Sequence, residues 1–330
     1  VVTRCTLLIL SQFMRRKAIK KPLVLCCLLL CACAAKPAEK EASAGIFLID
    51  ADASALPGEE GQYALYFRLG DLPYLSPEER KITVNRDETP ELALIRALID
   101  GPSATQTELQ PVFPQDTQVL ATSKQGSLLY VTLNEAFLSG YPAERRDLPA
   151  EEKQQQVMLE RQLCLDALAA TLTEGGFCTK VQVLVHRQQV KNNSLRLEED
   201  YLYQNGSALP LSAISRREET LYTPYNAASY MLGVWMTRDF DALMGCLSVQ
   251  GRPSEQAMAE AFENSPVLTG AVLSHGSVSA NGREAILVCD LSMHHNENEL
   301  NKKGYPIRLQ QEMGVWRITF ETLQGMMAEE

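Results

Sequence analysis

Residues 14–33 constrain this chain more than any other segment, because they decide which of its 330 residues are free to fold at all. Arg15, Arg16, Lys17, Lys20 and Lys21 form a cationic stretch, residues 22–30 an apolar one, and Leu30-Cys31-Ala32-Cys33 closes the run. Charge, then a short apolar core, then small residues is the order of a secretory signal peptide. An uncleaved anchor is the competing reading, but the run offers about a dozen apolar positions against the ~20 that a spanning helix needs. Met14 is the expected initiator, with the residues before it an upstream extension.

Ala32 directly before a cysteine, and Leu30 three residues before the same cysteine, make the segment resemble the lipobox of bacterial lipoproteins. The resemblance implies cleavage after Ala32 and a diacylglycerol thioether, with acyl chains such as palmitate, on Cys33. The chain is then expected at the extracytoplasmic face of the cell membrane of a Gram-positive bacterium, tethered and not spanning. Two acyl chains at ~0.8 kcal/mol per buried methylene hold a protein where one chain binds only reversibly. Cys31 is a rival acceptor, though it puts Leu30 in the small position.

Cleavage there removes six basic residues and no acid, so 31 basic against 41 acidic residues becomes 25 against 41, and net charge moves from −10 to −16. Such a surface repels phosphate backbones and anionic head groups, which argues against nucleic acid as a partner and leaves the lipid as the membrane contact. Of nine cysteines, Cys164, Cys178, Cys246 and Cys289 remain beyond the signal and its upstream residues. Cys164 and Cys178 are candidates for a disulfide in an exported protein. Four buried thiols are the other reading, since Cys246 and Cys289 lie in apolar patterns. None has CxxC spacing, so no zinc is expected.

Residues 33–45 lack an apolar period and read as a flexible tether. Tyr63, Leu65 and Phe67 alternate with less apolar neighbours, predicting a strand over 63–69, with a weaker one over 81–85. Thr89-Pro90-Glu91 starts a helix with a capping hydroxyl, a first-turn proline and an acid, Leu92, Ile95, Leu98 and Ile99 give it an apolar face, and Gly101-Pro102 stops it. A hairpin of 117–122 and 128–134, a long helix near 151–173 and a valine strand over 180–186 follow. Strands mixed with crossing helices predict an α+β fold.

The runs TPELALIRALIDGP (89–102), VFPQDTQVLATSKQGSLLYVTLNEAF (112–137) and KVQVLV (180–185) make residues 46–205 resemble the GerMN domain of sporulation and spore germination proteins. The resemblance implies an anchored envelope protein with a role in spore formation, germination or envelope assembly. It brings no catalytic residues and no cofactor. The charged, proline-containing insertion at 139–149 departs from the pattern, and a terminal strand is expected at 201–203. Residues 206–223, polar and without period, read as a linker.

Residues 224–330 change character. Helical patterns over 225–236, 240–247 and 254–263 precede strand patterns over 267–274, 284–293, 305–311 and 315–320, with Asn281-Gly282 as a hairpin turn. Helices followed by an antiparallel sheet are similar to the cone-shaped NTF2-like domains. That likeness implies a cavity, and Tyr225, Tyr230 and Asp290 are its candidate lining, with Asp290 either a base in an apolar pocket or a solvated acid on the outer face.

No Gly-x-Ser-x-Gly elbow, phosphate-binding loop, dinucleotide fingerprint or HExxH occurs. The run His294 to Glu299 and the pair Asp50 and Asp52 read as polar loops, and His186 as structural. The expectation is a non-enzymatic lipoprotein with a binding or assembly role at the envelope, recognising a protein or peptidoglycan component. A small-molecule binder or accessory cell-wall protein using the C-terminal cavity is the alternative.

Overall fold

In the computed structural model, strand β1 (Glu59–Leu69) pairs antiparallel with β2 (Leu75–Val84) along nearly its whole length. Residues 59–187, 194–203, 206–296 and 298–328 are described. Cys33, the tether and Asp50 to Asp52 lie outside them. Helix α1 (Pro90–Ile99) follows, started by the Thr89 side chain, which accepts from the Leu92 amide. It ends where Gly101 takes φ +91°, a conformation that costs a glycine little.

The two-residue strand β3 (Leu109–Gln110) closes the first sheet on the free edge of β1, in the order β2-β1-β3. A second sheet holds β4 (Val119–Gln125), β5 (Leu128–Asn134), β6 (Lys180–His186) and β7 (Ser194–Arg196) in sequence order. Only β5 and β6 run parallel. A parallel neighbour requires a crossover, and the chain supplies it with the short helix α2 (Pro142–Arg145) and the long helix α3 (Ala150–Glu174). Helix α3 contacts both β1 and β6. Its second half is therefore buried almost all round, with Leu163, Leu165, Leu168 and Leu172 no more than 1 % exposed.

The insertion at 139–149 is packed. Tyr141 and Ala143 are fully buried, the Tyr141 hydroxyl lies 2.7 Å from that of Tyr201, and the Ala143 amide donates to Glu160 Oε2 at 2.9 Å. The other Glu160 oxygen meets Arg68 Nη1 at 3.4 Å, with both side chains 6 % exposed. The strand expected at 201–203 is a 3-10 turn at Glu199–Tyr201 instead. Burying the Tyr201 ring beside Phe137, at 5.8 Å between centroids, fixes that turn.

Residues 206–223, expected as a linker, pack as a strap. Ile214 pairs antiparallel with Val181 of β6, and Leu221 pairs parallel with Leu75 of β2. Leu211, Leu221 and Tyr222 are buried. Their apolar side chains are too far apart in sequence to form a period, which hides their burial from a periodicity argument.

Three helices follow, α4 (Pro224–Thr237), α5 (Phe240–Gly245) and α6 (Glu255–Glu263), capped by Thr223, Asp239 and Ser254 respectively. The strands β8 (Val267–Val278), β9 (Glu284–His295), β10 (Asn298–Glu312) and β11 (Val315–Ile318) form an antiparallel meander in the order β11-β10-β9-β8. The last strand is shorter than expected, because Thr319 caps a final helix, α7 (Phe320–Met327). The fold is α+β in both halves. All described residues belong to one compact unit, Leu56–Glu330, with a continuous apolar core.

Candidate functional site

The sequence grouped Tyr225, Tyr230 and Asp290 around one cavity, and the structure separates them. Asp290 is exposed on the outer face of β9, where its Oδ1 accepts from the Gly304 amide at 2.7 Å. The reason is strand parity. Ala285, Leu287, Cys289, Leu291 and Met293 take the inner face, leaving Asp290 on the other side with Ile286 and Val288. Tyr225 lies in a groove beside His275, their rings stacked at 4.5 Å between centroids. Tyr230 alone reaches a cleft with concentrated chemistry.

That cleft, of about 310 Å³, lies where the two halves of the body meet. The first half contributes Leu69, Leu72 and Glu108, and the second Tyr222, Tyr230, Cys246 and Arg317. The Tyr74 ring packs on Tyr222 at 5.6 Å and on Tyr230 at 6.3 Å. Arg317, on β11, is only 6 % exposed. Its guanidinium bonds Glu108 and the Gly245 carbonyl and lies 3.4 Å from Glu312 Oε2. The hairpin turn before β11 docks on β2, where the Ser76 hydroxyl donates to the Gly314 carbonyl at 2.8 Å.

Burial raises the Tyr222 hydroxyl above its ordinary range, with the Cys246 thiol adding to the effect and Arg317 opposing it. Burial also pushes the Cys246 thiol up to about 12 and raises Tyr230. These groups are therefore neutral donors at physiological pH, and a protonated thiol is a poor nucleophile. Burial works against the Glu312 carboxylate too, but bonds from Ser248 and the Val249 amide, with the Arg317 charge, hold it below the usual range. The cleft offers tyrosine faces, hydroxyl donors and a neutralised arginine. Such a lining suits retention of a small planar or apolar group.

Cys164 and Cys178 are free and buried, as are Cys246 and Cys289. No disulfide joins Cys164 to Cys178: both thiols are free, and Cys164 lies inside α3, ten residues before its end at Glu174. Cys164 instead hydrogen-bonds Tyr141. His294 is half exposed and 3.7 Å from Glu299, and no group of three possible metal ligands occurs among the described residues. No helix among those residues is long and apolar enough to cross a membrane.

Tyr222, Glu108 and Arg317 were not singled out from sequence. Arg317 was the one with a signal, a charge inside the apolar run Val315-Trp316-Arg317-Ile318. Alternation sends it outward, and Glu108 of the first half together with the Gly245 carbonyl at the end of α5 makes that side an interior.

Residues 64–191 match the family described as Germane: Sporulation and spore germination. No curated protein matches the sequence. Among solved structures, the tandem GerMN domains of the sporulation protein GerM from Bacillus subtilis align at 15 % identity and TM-score 0.33, over 49 % of this chain and 48 % of that one. The first GerMN domain of the same protein aligns at 17 % identity and TM-score 0.30, over 47 % and 98 %. A SEC-C motif containing protein from Rhodopseudomonas palustris aligns at 11 % identity and TM-score 0.26, over 30 % and 76 %. The family match covers residues 64–191, less than half of the chain.

Proposed function

We propose that this chain, whose residues 64–191 form a Germane domain, is a non-catalytic lipoprotein with a binding or assembly role at the cell envelope in sporulation or germination. The Germane match carries the reading. The charge, apolar run and Leu30-Cys31-Ala32-Cys33 ending add the location, with Cys33 as the acylated anchor. A diacyl anchor restricts the body to two dimensions, which raises its local concentration toward an envelope protein or peptidoglycan component without any chemical step. The strap and the Arg317 contacts support the same reading, because a body whose halves are joined presents its surfaces in a fixed arrangement.

Mass spectrometry of the protein from its native host tests the anchor. A Cys33 N-terminus carrying two acyl chains is expected, and an unmodified Cys33 with residues still attached ahead of it refutes the location. Deleting the gene and counting heat-resistant spores and germination rates tests the role. Normal spores that germinate normally refute the developmental part.

A second reading is favoured by the cleft at the junction, where Tyr222, Tyr230 and Leu69 offer an apolar slot of about 310 Å³. In that reading the protein retains a small molecule there. Tyr230→Trp, which fills the slot, abolishes binding of such a ligand while leaving the envelope partner bound.

A further inference from the structure

The solvent face of the third sheet, β11-β10-β9-β8, carries more aliphatic surface than its position requires. Strand β9 alternates buried and exposed residues along its length, and its exposed side includes Ile286 at 44 % and Val288 at 40 %. On β8, Val272 is 69 % exposed. Register joins these positions. Val288 lies opposite Ser274 of β8 and Pro306 of β10, Val272 opposite Asp290, and Arg308 opposite Ile286. The result is an aliphatic strip with Asp290 beside one end of it and Arg308 beside the other.

Two further observations narrow the occupant. Residues 264–282 contain no Asp, Glu, Lys or Arg, in a chain of net charge −10. Strand β8 therefore brings no charge to this face. Arg308, exposed on this face beside Ile286, makes no ion pair among the described residues.

We propose that this face joins two copies of the chain, sheet against sheet, about a twofold axis running across the strands at Val288. Such an axis turns each strand end for end. It lays Val288 over the partner's Val288 and exchanges the two ends of the strip, so that Asp290 of each copy meets the partner's Arg308. A twofold interface must be complementary to itself, and an acid and a base flanking an apolar centre on opposite sides satisfy that requirement. A uniformly basic partner matches Asp290 but opposes Arg308, while the rest of the acidic surface keeps copies from associating elsewhere. Three strands ~4.8 Å apart and ~37 Å long present roughly 500 Å² per copy, or about 1,000 Å² for the pair, near the lower limit for a specific interface. An interface this small is expected to associate weakly, in about the micromolar range.

Sedimentation velocity of the full chain from about 1 to about 100 µM tests this. Non-ionic detergent in every run prevents association through an acylated N-terminus from registering. The wild type is expected to pass from monomer to dimer across that range, and Val288→Glu to stay monomeric. Asp290→Arg and Arg308→Asp should each weaken the dimer about tenfold or more, and the double variant D290R/R308D should recover most of the loss. Melting temperatures within a few degrees of wild type show that each variant folds. A wild type that is monomeric throughout overturns the proposal, including one that captures a different protein on this face. A dimer indifferent to Val288→Glu overturns it too, by placing the contact elsewhere, for example along the β8 edge. Failure of the charge exchange to restore association overturns the twofold arrangement.

Discussion

Replacing Arg317 by methionine tests whether the two halves behave as one body. Methionine keeps much of the apolar stem and removes the guanidinium, so the packing change is small and the polar loss dominates. The Gly245 carbonyl loses its donor, at about 1–3 kcal/mol for an acceptor left unsatisfied. Glu108 and Glu312 lose their counter-charge, but their side chains are 42 % and 24 % exposed and can rehydrate. The 3–5 kcal/mol of a fully buried broken pair therefore does not apply in full. About 2–3 kcal/mol is expected, which for a body of this size lowers the melting temperature by roughly 5–10 °C. Calorimetry and far-ultraviolet circular dichroism on the full chain provide the assay. The Leu75–Leu221 bridge and the Ser76–Gly314 bond tie β2 to the strap and to the β10–β11 turn, so wild type should melt in one transition by both methods, and R317M should lower that transition without splitting it. Asp290→Asn, on the exposed face, should stay within about 0.5 kcal/mol of wild type. Two resolved transitions in the wild type, or a shift below about 1 °C in R317M, would refute the reasoning.

Gly314 gives a second lesion at the same junction, since it sits at φ +87° and an added Cβ would strike the Pro77 carbonyl. Gly314→Ala should destabilise by more than the ~1 kcal/mol of a left-handed alanine alone, measured by chemical denaturation. Glu78 supplies a pH test. Burial opposes its charge, yet Arg80 and the hydroxyl and amide of Ser103 hold its carboxyl below the usual 4.5. A depressed folded pKa gives stability that is complete above the unfolded value and is lost as pH falls through the folded one. Stability should therefore decline below about pH 4.5, and Glu78→Gln should flatten part of that decline in acid titrations of the melting temperature. Thiol labelling checks the cysteines: Cys164, Cys178, Cys246 and Cys289 are buried, with Cys246 raised to about 12. All four should resist an aqueous maleimide in the native protein and react after denaturation. Fast native labelling of Cys164 would contradict its place inside α3.

Local chemistry was legible wherever it acts within a few residues. The Thr89 cap, Pro90 and Gly101 predicted α1, and the structure returns it as Pro90–Ile99. The valine alternation predicted 180–186, and β6 spans Lys180–His186. The Asn281-Gly282 turn also holds, with Gly282 at φ +70°. What the sequence concealed depends on partners far along the chain. The strap residues Leu221 and Tyr222 have neighbours too polar to signal burial, and become interior only because β2 lies beside them. Thr319 was read as part of a strand because Trp316 and Ile318 alternate, although its hydroxyl accepts from the Thr322 amide and starts α7.

The candidate site was hidden for the same reason, and Asp290 and Arg317 show it from opposite sides. Both are charged residues within apolar strands of the third sheet, and alternation by itself predicts both on the side away from its helices. From sequence they are equivalent, and Asp290 was preferred because tyrosines in α4 offered it a cavity. In three dimensions the outer face is not uniform. Near β11 it is enclosed by Glu108 of the first half and by Tyr222, Tyr230 and the end of α5, whose Gly245 carbonyl Arg317 bonds, so Arg317 becomes an interior charge with carboxylate partners supplied from both halves. Over β9 and β8 nothing of the described chain covers it, and Asp290 stays exposed beside Val288 and Val272. Strand parity thus decides which side a charge takes, but the long-range docking of one half on the other decides whether that side is water, a binding cleft or a surface awaiting a second copy.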